Sequence, residues 1–239
     1  MISVADVDRL VLTPRYGALL SGVGTLGATS VQSVANTLVS VELDQRVAAF
    51  DEACEALDQQ ISYWTGGEKY LVADTSVYIQ HPTKLEDWDV PGLISMPPQE
   101  AFRLLVPIAV IDELDGLKQS KDRAIRWRAG YTLAVIDRVF KFRSRGPAVL
   151  SPHGPSAAAP DFPGSGGVTV EILFDPPRHV RLPITDDEII DRTVAAQPLA
   201  AREVTLVTYD TGMSTRARAT GLKVVKLAKD NGEEPSDGK

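Results

Sequence analysis

Three short apolar runs each lead into an acid, and a fourth acidic group opens a helical pattern. Asp74 directly follows Tyr70-Leu71-Val72-Ala73, Glu113 follows Val106–Ile111, and Asp210 follows Val204–Tyr209. Asp186-Asp187-Glu188 precedes Ile189-Ile190-Asp191. Any one of these acids, taken alone, reads as a helix cap or a partner for the helix dipole. Together they imply more. Carboxylates gathered in one crevice repel one another strongly unless something neutralises them. The hard divalent cations Mg²⁺ and Mn²⁺ do so, since they take oxygen ligands and need only a few carboxylates. A pair of such ions suits phosphodiester hydrolysis: one activates an attacking water and the other offsets charge on the leaving oxygen. The same ions make an acidic pocket able to accept a phosphate. In the third group the choice stays open among Asp186, Asp187 and Asp191, because Asp187 and Asp191 are i, i+4 and share one helical face.

Such acids converge only if the elements that carry them do. Strand candidates are Tyr70–Ala73, Leu104–Val110, Val168–Phe174, Val204–Thr208 and Leu222–Leu227. Helix-like patterns cover about 111–118, 121–143, 186–196 and 212–220. Strands alternating with helices predict βαβ units, hence an α/β fold with a mostly parallel sheet and helices on both faces. Ligands of such sheets bind beyond the carboxyl ends of the strands, where these acids fall. Residues 144–167 are rich in Pro and Gly and predict a loop or insertion. Residues 1–69 contain no convincing strand. Their apolar positions Val31, Val34, Leu38 and Val41, then Leu43, Val47, Phe50, Cys54, Leu57 and Ile61, predict a helix or helix pair packed on the main domain. The expected organisation is a helical region over 1–69, a principal domain over 70–228 and a polar tail over 229–239.

The chain has 239 residues, 44% hydrophobic and 24% charged, which predicts a folded core and excludes wholesale disorder. The net charge of −7 argues against a protein that coats nucleic acid by bulk charge. That total hides opposite poles. Residues 118–145 carry nine bases (Lys118, Lys121, Arg123, Arg126, Arg128, Arg138, Lys141, Arg143, Arg145) against Asp122 and Asp137. Arg138, Lys141 and Arg145 fall on one helical stripe suited to phosphate contacts. Trp127 and Tyr131, at i, i+4, could stack bases but read first as part of the core. Cys54 is the one cysteine, which excludes an internal disulfide and a Cys-rich zinc site and fits a reducing, cytoplasmic setting. The 26 uncharged residues between Arg15 and Glu42 are long enough to span a bilayer, but Gly, Ser and Thr interrupt them. No membrane span or targeting peptide is expected.

Two other motifs compete. Gly22-Val23-Gly24-Thr25-Leu26-Gly27 matches G-x-G-x-x-G, yet no second strand precedes Tyr70, so a flexible small-residue turn is expected in place of a dinucleotide site. Asp74-Thr75-Ser76 lacks the second Asp of a phosphoaspartate enzyme. His81, His153 and His179 show no metal-ligand spacing and read as surface or loop residues.

The acid-bearing segments also carry a family likeness. Val72-Ala73-Asp74-Thr75-Ser76-Val77 resembles the opening strand of PIN-domain nucleases. Pro107–Lys118, with Asp112-Glu113-Leu114-Asp115-Gly116-Leu117-Lys118, resembles their second motif, and Thr185-Asp186-Asp187-Glu188-Ile189-Ile190 their third. Val207–Leu222, with Thr208-Tyr209-Asp210, is similar to the fourth. Two departures stand out: Thr185 replaces a frequent Asn, and the segment between the second and third motifs is long. The resemblance implies a PIN-like parallel-sheet sandwich with Asp74, Glu113, Asp187 and Asp210 as metal-binding, catalytic acids, Asp186 or Asp191 being alternatives for the third. It implies Thr75 and Thr208 as hydroxyls that orient these acids or a water, and Mg²⁺ or Mn²⁺ as cofactor. The implied activity is endonucleolytic hydrolysis of single-stranded RNA to 5′-phosphate and 3′-hydroxyl ends, as a toxin or an RNA-processing enzyme. Lys118, Lys121, Arg138, Lys141 and Arg145 would contact the RNA, and an antitoxin protein or a second copy of the chain are the further partners such a role admits. The alternative is a catalytically weak RNA-binding or protein-interaction module that keeps the fold.

Overall fold

The computed structural model describes residues 4–26, 32–97, 100–141, 146–151 and 167–228. The chain divides into two compact units, Met1–Trp64 and Thr65–Lys239.

In the first unit, helices α1 (Val4–Leu10) and α2 (Pro14–Leu26) pack on α3 (Gln32–Trp64). The two apolar stretches expected as a helix or helix pair form one helix of 33 residues, apart from Val31, which lies outside the described residues. Their stripe does not become a core: Val34, Leu38, Leu43, Val47, Phe50, Leu57 and Ile61 are exposed. Cys54 is exposed too. Thr13 and Glu42 are the buried residues of this unit among those described; Thr13 Oγ1 donates to Glu42 Oε1 at 2.7 Å. The glycine motif is not a turn. Gly22–Leu26 lie within α2; Gly27 lies outside the described residues. No helix among the described residues is long and apolar enough to cross a membrane.

The second unit is built on a sheet whose described strands are β1 (Lys69–Ala73), β2 (Phe102–Pro107), β3 (Ala148–Ser151), β4 (Val168–Leu173), β5 (Val204–Thr208) and β6 (Lys223–Lys226). Their order is β3-β4-β2-β1-β5-β6. All neighbours are parallel except β3 and β4, so the sheet is mostly parallel as expected. The central strands are continuously apolar because both faces are covered: Leu71, Val72, Leu104, Leu105, Leu206 and Val207 are fully buried.

The chain starts at β1, moves outward through β2 to β4, then crosses back to β5 on the other side of β1. Right-handed crossovers in opposite directions put the connecting helices on opposite faces. On one face α4 (Thr75–Gln80), α6 (Ile108–Leu117) and α7 (Arg123–Phe140) contact one another; α8 (Thr185–Ala200) and α9 (Thr211–Ala219) form a second contacting pair. A short helix α5 (Val90–Leu93) lies between α4 and β2. The order reverses at β1, between β2 and β5, which is the switch point where parallel sheets open a crevice.

Two expectations need correction, and one feature of β2 was not expected. The apolar run 104–110 is not one strand: β2 ends at Pro107, which caps α6, and the helix starts at Ile108. An apolar run has the same appearance in a buried strand and a buried helix, so periodicity could not place this break. Proline does, since it cannot donate to the ladder and suits a helix start. Glu113 consequently sits in the second turn of α6 and not at its opening. The insertion 144–167 contributes β3 as an antiparallel edge; its residues 144–145 and 152–166 lie outside the described residues, as does the tail 229–239. Finally, β2 carries a buried charge. Arg103 donates to Glu68, before β1, at 2.7 Å and to Glu171 of β4 at 3.2 Å, with its guanidinium 5.4 Å from the Tyr70 ring.

Candidate active site

Asp74 stands at the carboxyl end of β1, beside the switch point. Its backbone N–H donates to Val207 O at 3.1 Å, continuing the β1–β5 ladder by one residue. Its side chain then caps α4, accepting from Val77 N–H at 3.1 Å on Oδ1. Ser76 Oγ donates to the same oxygen at 2.7 Å, and Thr208 Oγ1 donates to Oδ2 at 2.7 Å. The residue is 3% exposed. Burial raises its carboxyl above the usual range; the bonds from Thr208, Ser76 and Val77 pull it back, and the charge of Asp186 pushes it up again. Every hydrogen-bond partner of this carboxylate is electrically neutral.

The other motif acids are tied to this centre by hydroxyls and a guanidinium. Glu113, on α6, accepts from Thr75 Oγ1 at 2.5 Å, which joins it to the residue after Asp74. Asp210 follows β5 and caps α9, accepting from Met213 N–H at 2.6 Å. Its own N–H donates to Thr208 Oγ1 at 2.8 Å, so one buried hydroxyl links Asp74 to the Asp210 backbone. Ser76 makes a parallel link, accepting from Tyr209 N–H at 3.1 Å. Asp186 and Asp187 open α8, and Arg216 of α9 bridges both, from Nη2 to Asp186 and from Nε to Asp187, each at 2.8 Å.

All four motif segments thus meet at one edge of the sheet. In the third group, Asp186 is the acid whose charge acts on Asp74. Asp191 is turned to its neighbour Arg192. Each acid has its own partner: hydroxyls and an amide for Asp74, a hydroxyl for Glu113, Arg216 for Asp186 and Asp187, and a helix terminus for Asp210. Tyr78, one turn into α4, is buried; burial first, then the Asp74 charge, pushes its phenol up, and its hydroxyl has no hydrogen-bond partner among the described residues.

The donor chemistry fits a hard divalent cation. Asp74 is a buried carboxylate with no cationic partner among the described residues, and Asp186 adds a second negative charge to its surroundings. A cation beside them offsets both the burial penalty and the repulsion. Arg216 supplies part of that compensation for Asp186 and Asp187.

A second acidic group escaped sequence reading. Asp175, His179 and Glu188 bring ligand-type atoms within 4.8 Å of one another. Glu188 is buried; it accepts from Leu182 N–H at 2.8 Å and lies 2.7 Å from His179 Nε2 and 3.5 Å from Arg192 Nε. Asp175 pairs with Arg181 at 2.6 Å, and Arg181 also reaches Asp112 at 2.5 Å. His179 is therefore part of a half-buried cluster, not an isolated surface residue. The cluster is largely self-neutralised by Arg181 and Arg192. Its signal in sequence was weak: a glutamate at a core position just before Ile189-Ile190. A cleft of about 270 Å³ runs past Glu113, Asp112, Arg181, Thr185 and Glu188, joining this cluster to the motif acids.

Some of the expected RNA-contacting bases have acidic partners. Arg138 is paired with Glu86, and Lys118 lies 2.6 Å from Asp115. Lys121 and Lys141 are exposed, while Arg145 and His153 lie outside the described residues. Trp127 is not core: it is 54% exposed.

A profile of the PIN domain matches residues 71–228. No curated protein matches the chain. Among solved structures, one match is a domain of a functionally unknown protein from Methanocaldococcus jannaschii DSM 2661; it is 15% identical, covers 72% of this chain and 99% of that one, and has a TM-score of 0.40. PIN domains are generally nucleases that use divalent metal ions, which agrees with the acidic edge described above. With well over half of its length matched, the chain belongs to the PIN-domain family.

Proposed function

We propose that this protein is an Mg²⁺- or Mn²⁺-dependent endoribonuclease that hydrolyses phosphodiester bonds of single-stranded RNA, as a toxin or an RNA-processing enzyme of the cytoplasm. The observation that carries the reading is Asp74: a buried carboxylate at the sheet's switch point, held by three neutral donors and hydrogen-bonded through Thr208 to the segment that carries Asp210. Asp74, Glu113, Asp210 and one of Asp186 and Asp187 would hold the cation. When bound, the cation supplies charge neutralisation at the phosphate and a more acidic water.

The chain's own groups do the positioning. Thr208 and Ser76 fix the Asp74 carboxylate, leaving it no freedom to rotate away from the crevice. Thr75 fixes Glu113 across the β1–α6 gap. Arg216 orients Asp186 and Asp187 and adds a positive charge where a phosphate would approach. Lys118, Lys121 and Lys141 are exposed cations of the α6–α7 region that support an RNA path.

The test is cleavage of end-labelled single-stranded RNA with Mn²⁺ or Mg²⁺, comparing wild type with Asp74→Asn and Asp210→Asn. Loss of at least 100-fold in both, on the order expected for a group that stabilises transition-state charge, supports the reading. Equal rates in all three proteins, or activity surviving EDTA, would sink it. A second reading has one observation in its favour: Arg216 already occupies Asp186 and Asp187. Single-stranded RNA that is bound but not cleaved in Mn²⁺, with the bridge intact, would favour a catalytically weak RNA-binding module.

A further inference from the structure

The surface between the end of α4 and the start of α7 has a chemistry of its own. Trp127 is more than half exposed and stacks on Tyr131, with ring centroids 5.3 Å apart and planes at 20°. Lys84 Nζ sits over both rings, 5.1 Å from Tyr131 and 5.7 Å from Trp127. Tyr131 is fixed from behind by its hydroxyl, which bonds Glu86. Trp127 also borders a cleft of about 800 Å³, whose walls include Ile79, Pro82, Ile125, Arg123 and Arg128. Among the described residues, the cleft is lined mainly by apolar side chains, and the two charged residues that line it, Arg123 and Arg128, are arginines. Arg128 is held in place by the carbonyls of His81 and Thr83.

A solvent-facing tryptophan held flat by a second ring is poorly explained by packing. An exposed indole face beside an apolar cleft is a surface on which a flat ring can stack. The charge decides the class of ligand. The two arginines, with Lys84 over the rings, attract an anion that also presents flat, apolar rings, which describes an unpaired nucleotide. The place in the fold fits. Helix α4 begins at its cap Asp74 and ends at Gln80, and Ile79 and Gln80 line the cleft. Six residues of helix span about 9 Å, so the cleft lies a short way along from the acidic edge.

We infer that Trp127, backed by Tyr131, is a stacking platform for an unpaired base of single-stranded RNA, with Arg123 and Lys84 meeting the flanking phosphates. This deepens the nuclease reading and rests on it: the platform sets where a strand lies relative to the acids, and takes no part in the chemistry.

The test uses the full chain in EDTA, so that RNA stays intact, with a 12-nucleotide single-stranded RNA as probe and tryptophan fluorescence and anisotropy as readouts. Binding should quench fluorescence in wild type but not in Trp127→Leu, and Trp127→Leu should bind roughly 5- to 150-fold more weakly, the range for losing one stacked base. Trp127→Phe should recover most of the affinity, which a merely structural role would not predict in this pattern. An oligonucleotide of equal charge with abasic sites should bind wild type as weakly as intact RNA binds Trp127→Leu. Lys84→Ala should flatten the salt dependence by about one phosphate contact. If Trp127→Leu binds RNA as wild type does while Asp74→Asn has lost cleavage, the platform is refuted and the nuclease stands. If RNA binds without changing Trp127 emission, the cleft serves another class of ligand, an acidic peptide for example, and the inference fails. If wild type neither binds nor cleaves single-stranded RNA, both readings fall.

Discussion

Thr208 offers a direct measure of how the buried acid is held. Its side chain has no exposed surface; it donates to Asp74 Oδ2 at 2.7 Å and accepts from Asp210 N–H at 2.8 Å. Thr208→Val keeps the shape and removes both bonds. Losing a hydrogen bond to a charged group costs about 1.5–3 kcal/mol, and an unsatisfied buried N–H adds about 1–3 kcal/mol, less whatever water recovers. A total of about 2–5 kcal/mol follows, or roughly 5–15 °C in Tm for a domain of this size. Thr208→Ser keeps the hydroxyl and should lose only about 1 kcal/mol for the missing methyl. The difference should also depend on pH. Burial holds the Asp74 carboxyl above its unfolded value, so its contribution to stability is fully present below the unfolded pKa and lost as pH rises through the folded one. The Thr208 bond favours the charged form, so Thr208→Val raises the folded pKa further. The gap between wild type and Thr208→Val must therefore narrow as pH falls below the folded pKa, leaving the residue due to Asp210 N–H. Urea melts from pH 4 to 8 would show this. A Thr208→Val protein within 0.5 kcal/mol of wild type at pH 7, or a gap that widens on acidification, refutes the account.

Other outcomes follow from the same contacts. Mn²⁺ should raise the Tm of wild type and leave Asp74→Asn unmoved, because that variant lacks the buried charge a cation would offset; differential scanning fluorimetry reads both. Arg216→Ala should change stability by less than about 1 kcal/mol, the bridge being partly exposed, yet tighten Mn²⁺ binding in titration calorimetry by freeing Asp186 and Asp187. Unchanged Mn²⁺ affinity would mean that Arg216 and the cation do not compete. Arg103→Met leaves Glu68 and Glu171 without their shared cation and should cost about 3–5 kcal/mol in chemical denaturation, whereas Arg103→Lys should lose less.

Some of this architecture is written plainly in the chain. Val204–Thr208 forms a strand at its expected bounds because a compact β-branched run is closed by a polar turn and followed by a capping Asp. Asp74 and Asp210 were legible for the same reason: an acid just after a buried strand is either a cap or a ligand, and here both side chains cap. The β2–α6 break was hidden because Leu104–Ile111 is apolar in both elements. Helix α4 was missed because six residues cannot display a period, although Asp74 followed by Thr75 and Ser76 is a capping signature. Asp175, His179 and Glu188 are scattered over a turn and a helix start, with Arg178 at φ 68° reversing the chain between them. Only the tertiary fold brings them together. Whether an acid in α8 faces Asp74 or Arg216 depends on helix rotation, which i, i+4 spacing constrains but does not fix.

The buried Arg103 bears on how the sheet finds its alignment during folding. Leu71-Val72-Ala73 and Leu104-Leu105-Val106 are apolar on both faces, so sliding one past the other by a residue would bury nearly the same groups and be weakly opposed. Arg103 breaks that degeneracy. A one-residue slip of β2 would turn its guanidinium to the opposite face, away from Glu68 and Glu171, and leave a charge stranded among aliphatic side chains. The arginine thus works as an indexing pin across β1, β2 and β4. Loss of the pin should show as off-register, aggregation-prone species in refolding even under conditions where the native protein is stable.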